Sequence, residues 1–296
     1  MQLRTLLQTI RPPFLILTPV CVFLGTSTAI STQGSVETTT LVLILLGALC
    51  AHISVNTLNE HADFKSGLDL ITIRTPFSGG SGALPGDPAT AHWVLATGLV
   101  SLIATTAIGI YFIDNYGTRI LPIGVIGIVI ILTYTKWINR WPVFCLIAPG
   151  IGFGLLMVVG THVVLTGANA FAPWLAALVP FFLVNNLLLL NQYPDIEADK
   201  RIGRYHFLIA YGVRASNYAY GIMALSAYAA ILYGVVFGYF PRLSLIAITA
   251  SVLSLISLTG AVKHGQHIGQ HAHFLGINVA ATLLAPLLPA ISISVA

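Results

Sequence analysis

Two short stretches of the sequence carry closely spaced side chains whose oxygens can bind a cation. On a helix, the first stretch places four such residues at positions i, i+3, i+4 and i+7, namely Asn56, Asn59, Glu60 and Asp63. The second stretch places three at i, i+4 and i+8, namely Asn191, Asp195 and Asp199. Residues at these spacings share one face of a helix. The sequence therefore predicts two oxygen-rich faces that suit a cation.

The residue types indicate which cation and which substrate these faces would bind. Carboxylate and amide oxygens are hard ligands that suit Mg²⁺, which usually bridges one or two carboxylates to a substrate phosphate. We predict that the metal ligands are Asn59, Glu60, Asp63, Asp195 and Asp199. The nearby basic residues suggest a bound diphosphate, and they are Lys65, Arg74, Lys200, Arg201 and Arg204. The alternative is two solvated helix ends, which would explain one cluster better than two clusters on the same side.

The composition indicates an integral membrane protein. Of the 296 residues, 56% are hydrophobic and 7% are charged, whereas about a quarter of the residues in an ordinary soluble domain are charged. Most of the nine acidic residues nevertheless lie in the two stretches, although charge near a bilayer is costly. The net charge of +4 comes from basic residues scattered among loops, a distribution that membrane topology produces by itself. It does not indicate nucleic-acid binding.

Nine apolar runs are long enough to span a bilayer as helices. We therefore predict an all-α integral membrane protein with nine transmembrane helices, in which residues 1–296 form a single domain. The two oxygen-rich stretches would lie at the ends of the second and sixth spans. The predicted spans are roughly 13–31, 41–62, 92–113, 119–135, 143–165, 172–193, 216–238, 243–262 and 273–294.

The distribution of Lys and Arg predicts the orientation of these spans. The N-terminal segment and the even-numbered loops hold eleven of these residues, whereas the opposite side holds only Arg119 and Arg242. Lys and Arg accumulate in cytoplasmic loops. We therefore expect an integral protein of the cell (inner) membrane. Its N-terminus and both oxygen-rich stretches would face the cytoplasm, to which the active site would open, and its C-terminus would lie outside.

The two stretches resemble the motifs of the UbiA superfamily of intramembrane prenyltransferases, and most closely its 1,4-dihydroxy-2-naphthoate prenyltransferase branch. The first is similar to N-x-x-N-D-Y-x-D-x-x-x-G-x-D, matched by Asn56, Asn59, Asp63, Gly67 and Asp69. Glu60 and His61 stand where aspartate and tyrosine are usual. The second is similar to N-N-x-R-D-I-E-x-D-x-x-x-G-K, matched by Asn191, Asp195, Ile196, Glu197, Asp199 and Gly203. Gln192, Pro194 and Arg204 depart from that pattern.

Shorter matches extend the resemblance over most of the chain, and they are Arg11-Pro12, Gly25-Thr26, Tyr134-Thr135 and Gly160-Thr161. The resemblance implies a bundle of helices around a central cavity and Mg²⁺ as the cofactor. It implies transfer of an isoprenyl chain from a polyprenyl diphosphate to an aromatic acceptor, which in this branch is 1,4-dihydroxy-2-naphthoate in menaquinone biosynthesis.

Residue roles follow from the resemblance and the spacing together. The predicted catalytic residues are Asn59, Asp63, Asp195 and Asp199. The predicted substrate-binding residues are Asn56, Lys65, Arg74, Tyr134, Asn191, Lys200, Arg201 and Arg204. Tyr134 rests mainly on the resemblance.

The same residues are compatible with other functions. The aromatic acceptor of another branch, such as 4-hydroxybenzoate or homogentisate, would suit the same motifs. A cation-coupled transporter would also place acidic residues in a helical bundle, but transporters usually place them near the midplane of the membrane. The sequence predicts neither the chain length of the donor nor the oligomeric state.

Four histidines form a separate cluster near the last two spans, and they are His264, His267, His271 and His273. Their spacing would allow metal binding, but no acidic or cysteine partner accompanies them. We therefore favour a solvated loop.

Overall fold

The computed structural model describes residues 2–296, and these residues form helices and no β-strand. Helices are the expected structure because the bilayer core offers no hydrogen bonds to backbone groups, which a helix satisfies internally. Eight helical segments are long and apolar enough to cross a membrane. They are Gln2–Gln33, Thr38–Ser66, Pro88–Tyr116, Pro142–Thr166, Phe171–Asn191, Phe207–Val236, Arg242–His271 and His273–Ser294.

The described residues contain fifteen α-helices. They are α1 (Gln2–Ile10), α2 (Pro12–Leu15), α3 (Leu17–Gln33), α4 (Thr38–Ser66), α5 (Leu68–Ile71), α6 (Ala83–Gly86), α7 (Ala91–Tyr116), α8 (Leu121–Thr133), α9 (Pro142–Gly150), α10 (Gly160–Thr166), α11 (Phe171–Asn191), α12 (Ile196–Arg201), α13 (Phe207–Val236), α14 (Ser251–His264) and α15 (His273–Ser294). A π-helical segment, Ile151–Val159, joins α9 to α10. Short 3-10 segments are Pro88–Thr90, Thr118–Ile120, Ile138–Arg140, Arg242–Ala250 and Gly265–His271.

The all-α membrane architecture is confirmed, but the predicted number of nine spans is not. Eight of the predicted runs correspond to the long segments, and the fourth corresponds to the shorter apolar helix Thr118–Thr133. A helix rises about 1.5 Å per residue, so these 16 residues (118 to 133) reach about 24 Å. That length is less than the bilayer core of about 30 Å.

The first long segment is interrupted at Arg11, where the sequence alone suggests a helix that begins only at residue 13. Arg11 has the left-handed backbone angles φ 57° and ψ 61°, which are uncommon for a residue other than glycine. Pro12 follows and starts α2, a position where its missing N–H is tolerated. The break allows the guanidinium of Arg11 to reach Glu60 on α4.

Asparagines on α11 form hydrogen bonds with the backbone of neighbouring helices. Pro149 lies inside α9 and lacks an N–H, and the N–H of the next residue, Gly150, donates to Asn185 Oδ1 at 2.6 Å. Asn186 Nδ2 donates to the carbonyl of Tyr220 on α13 at 3.0 Å. Both side chains therefore act as interhelical hydrogen-bond partners, as is usual for asparagines within membrane helices.

The helix ends gather into two opposite sets. At one end, the carbonyl of Asn139 accepts from the backbone N–H of Tyr205, and Arg204 pairs with Asp63. At the other end, Thr40 Oγ1 lies 2.6 Å from Tyr116 Oη, and Arg119 donates to the carbonyl of Gly167. Both oxygen-rich stretches belong to the first end, which we call the polar end.

Gly154 allows close packing of the π-helical segment against α11, and this contact predicts a stability effect. A Cβ at Gly154 would lie 2.5 Å from the backbone nitrogen of Phe181, whereas a Cβ at Gly152 would meet no atom within 4 Å. Overpacking against immovable backbone costs about 1–3 kcal/mol. Gly154→Ala should therefore lower the apparent melting temperature in detergent by several degrees, and Gly152→Ala should not. Equal effects would contradict the packing of this interface.

Candidate active site

A cavity of about 430 Å³ runs along the helices from the polar end. One face of α4 lines it from Ile44 to Asp63. The lining changes character along this path, because its carboxylate and amide groups lie at the polar end and aliphatic and aromatic side chains form most of the rest. The acidic and amide residues that line it are Asn56, Asn59, Asp63, Asp69, Asn139, Asn191, Gln192, Asp195 and Asp199.

A mostly buried guanidinium connects the two oxygen-rich stretches. Arg204 Nη1 donates to Asp199 Oδ1 at 2.8 Å, and Nη2 of the same side chain donates to Asp63 Oδ1. His206 Nε2 lies 3.0 Å from the other carboxylate oxygen of Asp199. Burial by itself lowers the pKa of Arg204, but the two carboxylates outweigh burial and hold this pKa above its ordinary value. The structure therefore brings three of the predicted site residues, Asp63, Asp199 and Arg204, into direct contact.

The glycine-rich segment that follows α5 lies directly over the second stretch. The N–H of Gly79 donates to Asp195 Oδ2 at 3.1 Å. The φ of Gly80 is 74°, and a Cβ on it would lie 2.9 Å from Asp69 Oδ1. Only glycine combines this backbone conformation with so close an approach. The segment thus packs against carboxylates from both stretches.

Two carboxyl groups of the site hold protons more tightly than ordinary aspartates. Burial, and then the charge of Asp199, raises the pKa of Asp195 to about 7. Burial, and then the neighbouring carboxylates, raises the pKa of Asp69 to about 7 as well. Binding of a cation to the carboxyl group of Asp195 or Asp69 near neutral pH is therefore linked to the loss of a proton from that group.

Glu60 does not join the other predicted metal ligands in the cavity. Its Oε1 accepts from Arg11 Nε at 2.7 Å and from the N–H of Ser81 at 2.8 Å. Its Oε2 accepts from the hydroxyl of Ser81. Glu60 lies on the same helix, α4, as the other residues of the first stretch, but Arg11, which is distant in sequence, and the glycine-rich segment occupy both of its oxygens. Its position supports a role in holding Arg11, which does line the cavity.

Four of the predicted diphosphate-binding residues do not line the cavity. Lys65, Arg74, Lys200 and Arg201 are exposed at the polar end. Lys200 Nζ lies 3.4 Å from Glu197 on the exposed side of α12, and Arg74 donates to the backbone carbonyl of Asp69. Sequence neighbours on a helix point in directions about 100° apart, so Lys200 cannot share the direction of Asp199. These positions do not support direct contact with a substrate in the cavity.

Arg204 and the remaining predicted substrate-binding residues, Asn56, Tyr134 and Asn191, do line the cavity. Asn59, predicted as a catalytic residue and metal ligand, lines it as well. Asn56 Nδ2 donates to the carbonyl of Ile10 at 2.9 Å, and Asn59 Nδ2 donates to Thr135 Oγ1 at 3.2 Å. Both amide nitrogens are thus engaged by the protein.

Sequence reasoning missed four residues of this site, namely Arg11, Asp69, Asn139 and His206. Arg11 and Asp69 occur in motif matches and could have been included on that signal. His206 follows the second stretch by only a few residues, but nothing in its spacing marks it. Asn139 lies on the loop after α8, which carries no acidic cluster, and its Oδ1 is buried without a hydrogen-bond partner.

The oxygens at the polar end fit a magnesium ion that is shared with a phosphate. Within residues 2–296 no group of three or more His, Cys, Asp or Glu side chains is placed to hold a metal by itself. Buried acceptor oxygens without partners are nevertheless present on Asp69, Asn191 and Asp195, and all three residues line the cavity. Mg²⁺ usually takes one or two carboxylates and completes its shell with water and phosphate oxygens. The donor set therefore matches this mode of binding.

The histidine cluster lies outside the cavity. The rings of His264 and His271 are 3.8 Å apart between centroids, but among the described residues these histidines do not form a group placed to hold a metal. Gly269 in the same segment packs closely against Pro194, since a Cβ on it would lie 3.1 Å from that side chain. The segment thus supports the second stretch from outside.

Comparisons with known proteins agree with this architecture. The model of the UbiA prenyltransferase family matches residues 18–273. None of the curated proteins matches this chain in sequence.

Solved structures resemble the chain over nearly its whole length. A structure concerning digeranylgeranylglyceryl phosphate synthase in membranes has a TM-score of 0.68 and 18% identity, with 98% of this chain and 99% of that chain covered. An apo UbiA homologue from Aeropyrum pernix K1 has a TM-score of 0.67 and 16% identity, with 90% and 94% covered. A UbiA homologue from Archaeoglobus fulgidus bound to DMAPP and Mg²⁺ has a TM-score of 0.62 and 16% identity, with 94% and 99% covered. These similarities show a shared fold.

The ion pair of Arg204 with two buried carboxylates predicts a large effect on stability. Removing one partner of a buried ion pair costs about 3–5 kcal/mol, because a charge remains buried without compensation. Arg204→Ala should therefore lower the apparent melting temperature in detergent by about 5–10 °C. Arg140→Ala, an exposed arginine at the same end, is the control and should stay within about 2 °C. A parent-like melting temperature for Arg204→Ala would show that the bridge does not hold the two stretches together.

Proposed function

This chain belongs to the UbiA prenyltransferase family, and we propose that it transfers an isoprenyl chain from a polyprenyl diphosphate to an aromatic acceptor with the help of Mg²⁺. The enzyme class, a prenyltransferase, follows from the family. We further propose that residues 1–296 act as one membrane domain and that the acceptor is 1,4-dihydroxy-2-naphthoate, in menaquinone biosynthesis. The observation that carries the proposal is the cavity, because its acidic end suits a metal diphosphate and its apolar remainder suits a lipid tail.

The diphosphate would bind at the polar end. The fold is shared with a homologue that holds DMAPP and Mg²⁺, and here the residues that would hold the metal are Asp63, Asp69, Asn191, Asp195 and Asp199. When bound, Mg²⁺ neutralises charge that accumulates on the departing diphosphate. Glu60 is left out of this set because its oxygens bind Arg11 and Ser81 and its side chain does not line the cavity, whereas all five of the other residues do.

Two arginines supply positive charge from the protein itself. Arg11 and Arg204 both line the cavity, and Arg204 Nε is buried without a hydrogen-bond partner. Electrostatic stabilisation by groups already in position usually contributes more to catalysis than any other effect, and it is stronger where water is excluded. Arg11 is held by Glu60 and Arg204 by the two aspartates, so neither must reorganise extensively when charge develops on the leaving group.

The remaining cavity wall would protect the allylic cation. Aromatic side chains that line it include Phe14, Phe77, Tyr134 and Phe153. Aromatic faces attract cations electrostatically, and the aliphatic surroundings exclude water that would otherwise hydrolyse the cation. An electron-rich carbon of the acceptor ring would then form the new bond and release a proton, or release CO2 if that carbon carries the carboxylate of dihydroxynaphthoate.

The experiment that tests the function is incubation of membranes that contain the protein with a polyprenyl diphosphate and a panel of acceptors, with and without Mg²⁺. The panel includes 1,4-dihydroxy-2-naphthoate, 4-hydroxybenzoate and homogentisate. We expect a prenylated naphthoate product that requires Mg²⁺. Product with another acceptor alone would retain the reaction class but reject the menaquinone assignment, and no product with any acceptor would reject the proposal.

Substitutions of Asp195 and Glu197 distinguish a proposed metal ligand from a nearby exposed carboxylate. Asp195→Asn keeps the size of the side chain but removes a charge that would bind the cation, so we expect kcat/KM to fall by at least about a hundredfold. Glu197→Gln makes the same chemical change on an exposed side chain and should remain within a few fold. Steady-state kinetics at saturating Mg²⁺ measures both. Similar values for the two variants would remove Asp195 from the site.

We also propose that the polar end faces the cytoplasm and that the C-terminus lies outside. Eleven of the thirteen Lys and Arg residues belong to the segments of that end, in agreement with the preference of these residues for cytoplasmic loops.

Cysteine labelling of intact cells tests this orientation, because Thr118 and Arg201 are exposed at opposite ends. Thr118→Cys should react with an impermeant maleimide from outside, whereas Arg201→Cys should react only after the membrane is opened. Reaction of Arg201→Cys in intact cells would reverse the topology.

A further inference from the structure

The end of the cavity opposite to the polar end is closed by four side chains from four different segments. These are Ile44 on α4, Phe112 on α7, Ile120 in the 3-10 segment before α8, and Val164 on α10. They are only 7%, 6%, 6% and 4% exposed, respectively. Since each lines the cavity and is otherwise enclosed by protein, they form a floor.

Hydrogen bonds beyond the floor hold the helix ends together. Thr40 Oγ1 lies 2.6 Å from Tyr116 Oη, which connects α4 to α7. Arg119 Nη1 donates to the carbonyl of Gly167 at 2.9 Å, and Gln33 Nε2 donates to the carbonyl of Leu165 at 3.0 Å. The first two contacts join segments that carry or adjoin floor residues, and the third attaches α10 to α3. The floor is therefore part of a connected structure and not a single movable side chain.

A single helix sets the distance between the floor and the acidic groups. Ile44 and Asp63 both lie on α4, and nineteen residues separate them along the chain (63 − 44 = 19). At about 1.5 Å per residue this separation is about 28 Å. A diphosphate anchored near Asp63 would direct its tail toward Ile44, so both limits of the tail's space are fixed by rigid structure.

We propose that the floor, with Phe112 as its largest side chain, determines the longest isoprenyl chain that the enzyme accepts. The inference rests on the proposed function, because it assumes a diphosphate bound at the polar end. A tail that reaches the floor fills apolar space that is otherwise unfilled, whereas one further unit would overpack it. In a hydrophobic pocket, a difference of one methylene changes selectivity by about 10- to 200-fold, so a whole additional isoprene unit that meets the floor should be rejected sharply.

Binding of non-reacting thiolodiphosphate analogues tests the inference without an acceptor. The melting temperature of the purified protein is measured in Mg²⁺ with analogues of increasing length, from dimethylallyl upward. A ligand that binds the folded state raises the melting temperature according to its affinity. For the parent we expect the rise to increase with chain length and then to fall abruptly at the first excluded length.

Substitutions of the floor should move that limit in both directions. Phe112→Leu, the milder change, and Phe112→Ala should raise the affinity for the first excluded analogue by about tenfold or more. Ile44→Phe should exclude the longest analogue that the parent accepts. Ile110→Ala, which removes an exposed side chain from the same helix as Phe112, is the control and should leave the limit unchanged.

The possible failures are distinguishable. If affinity shows no upper limit, or if the limit is the same in Phe112→Leu and Ile44→Phe as in the parent, the floor does not determine chain length and the tail leaves the cavity between helices. Binding of short analogues in that case would still support the proposed function. If no analogue shifts the melting temperature and no polyprenyl diphosphate is consumed, the proposed function itself fails.

Discussion

The polar end depends on the ion pairs of one buried arginine. A charge that is removed from water is tolerated only when a partner compensates it, and Arg204 compensates Asp63 and Asp199 simultaneously. Because one carboxylate lies near the end of α4 and the other on α12, the arginine that pairs with both of them also joins the two oxygen-rich stretches. The arrangement of the cavity's acidic end follows from this requirement.

Irregular backbone accompanies these charges. The left-handed conformation of Arg11 and the glycine-rich segment from Gly79 to Gly82 both lie at the polar end, where they direct a guanidinium and backbone N–H groups toward carboxylates. In a membrane protein, non-helical backbone is tolerated where it is buried in protein or lines a cavity. The helices supply a rigid wall, and the breaks between them supply the groups that regular helices cannot present.

Glycines have two opposite roles in the bundle. Gly150 and Gly154 allow the backbone of α11 to approach closely, since a Cβ on either would collide with Phe181. Gly109, Gly124 and Gly152 have no neighbouring atoms within 4 Å of such a Cβ, and all three line the cavity. Glycines therefore allow close packing against α11, and the glycines that line the cavity leave space inside it that side chains would otherwise fill.

The membrane class, the approximate positions of the helices and most of the residues that supply oxygens to the cavity could be predicted from the sequence, although Glu60 does not line the cavity and Asp69 and Asn139 were not predicted. These properties are local, because hydropathy acts over one span and side-chain direction repeats every few residues of a helix. The motif resemblance likewise led to the correct family. The count of spans was less well predicted, because the fourth apolar run forms a helix shorter than the others.

Which charged groups face one another became visible only in the folded chain. Arg204 reaches Asp63 across 141 residues, and Arg11 occupies Glu60 across 49, whereas Lys65 and Lys200 stay outside although each lies close to an aspartate in sequence. Spacing along a helix specifies a face, but a charge pair between distant segments depends on where the chain breaks and how the helices pack. These charge pairs join residues that are far apart in sequence, so the local pattern of residues along the chain does not predict them.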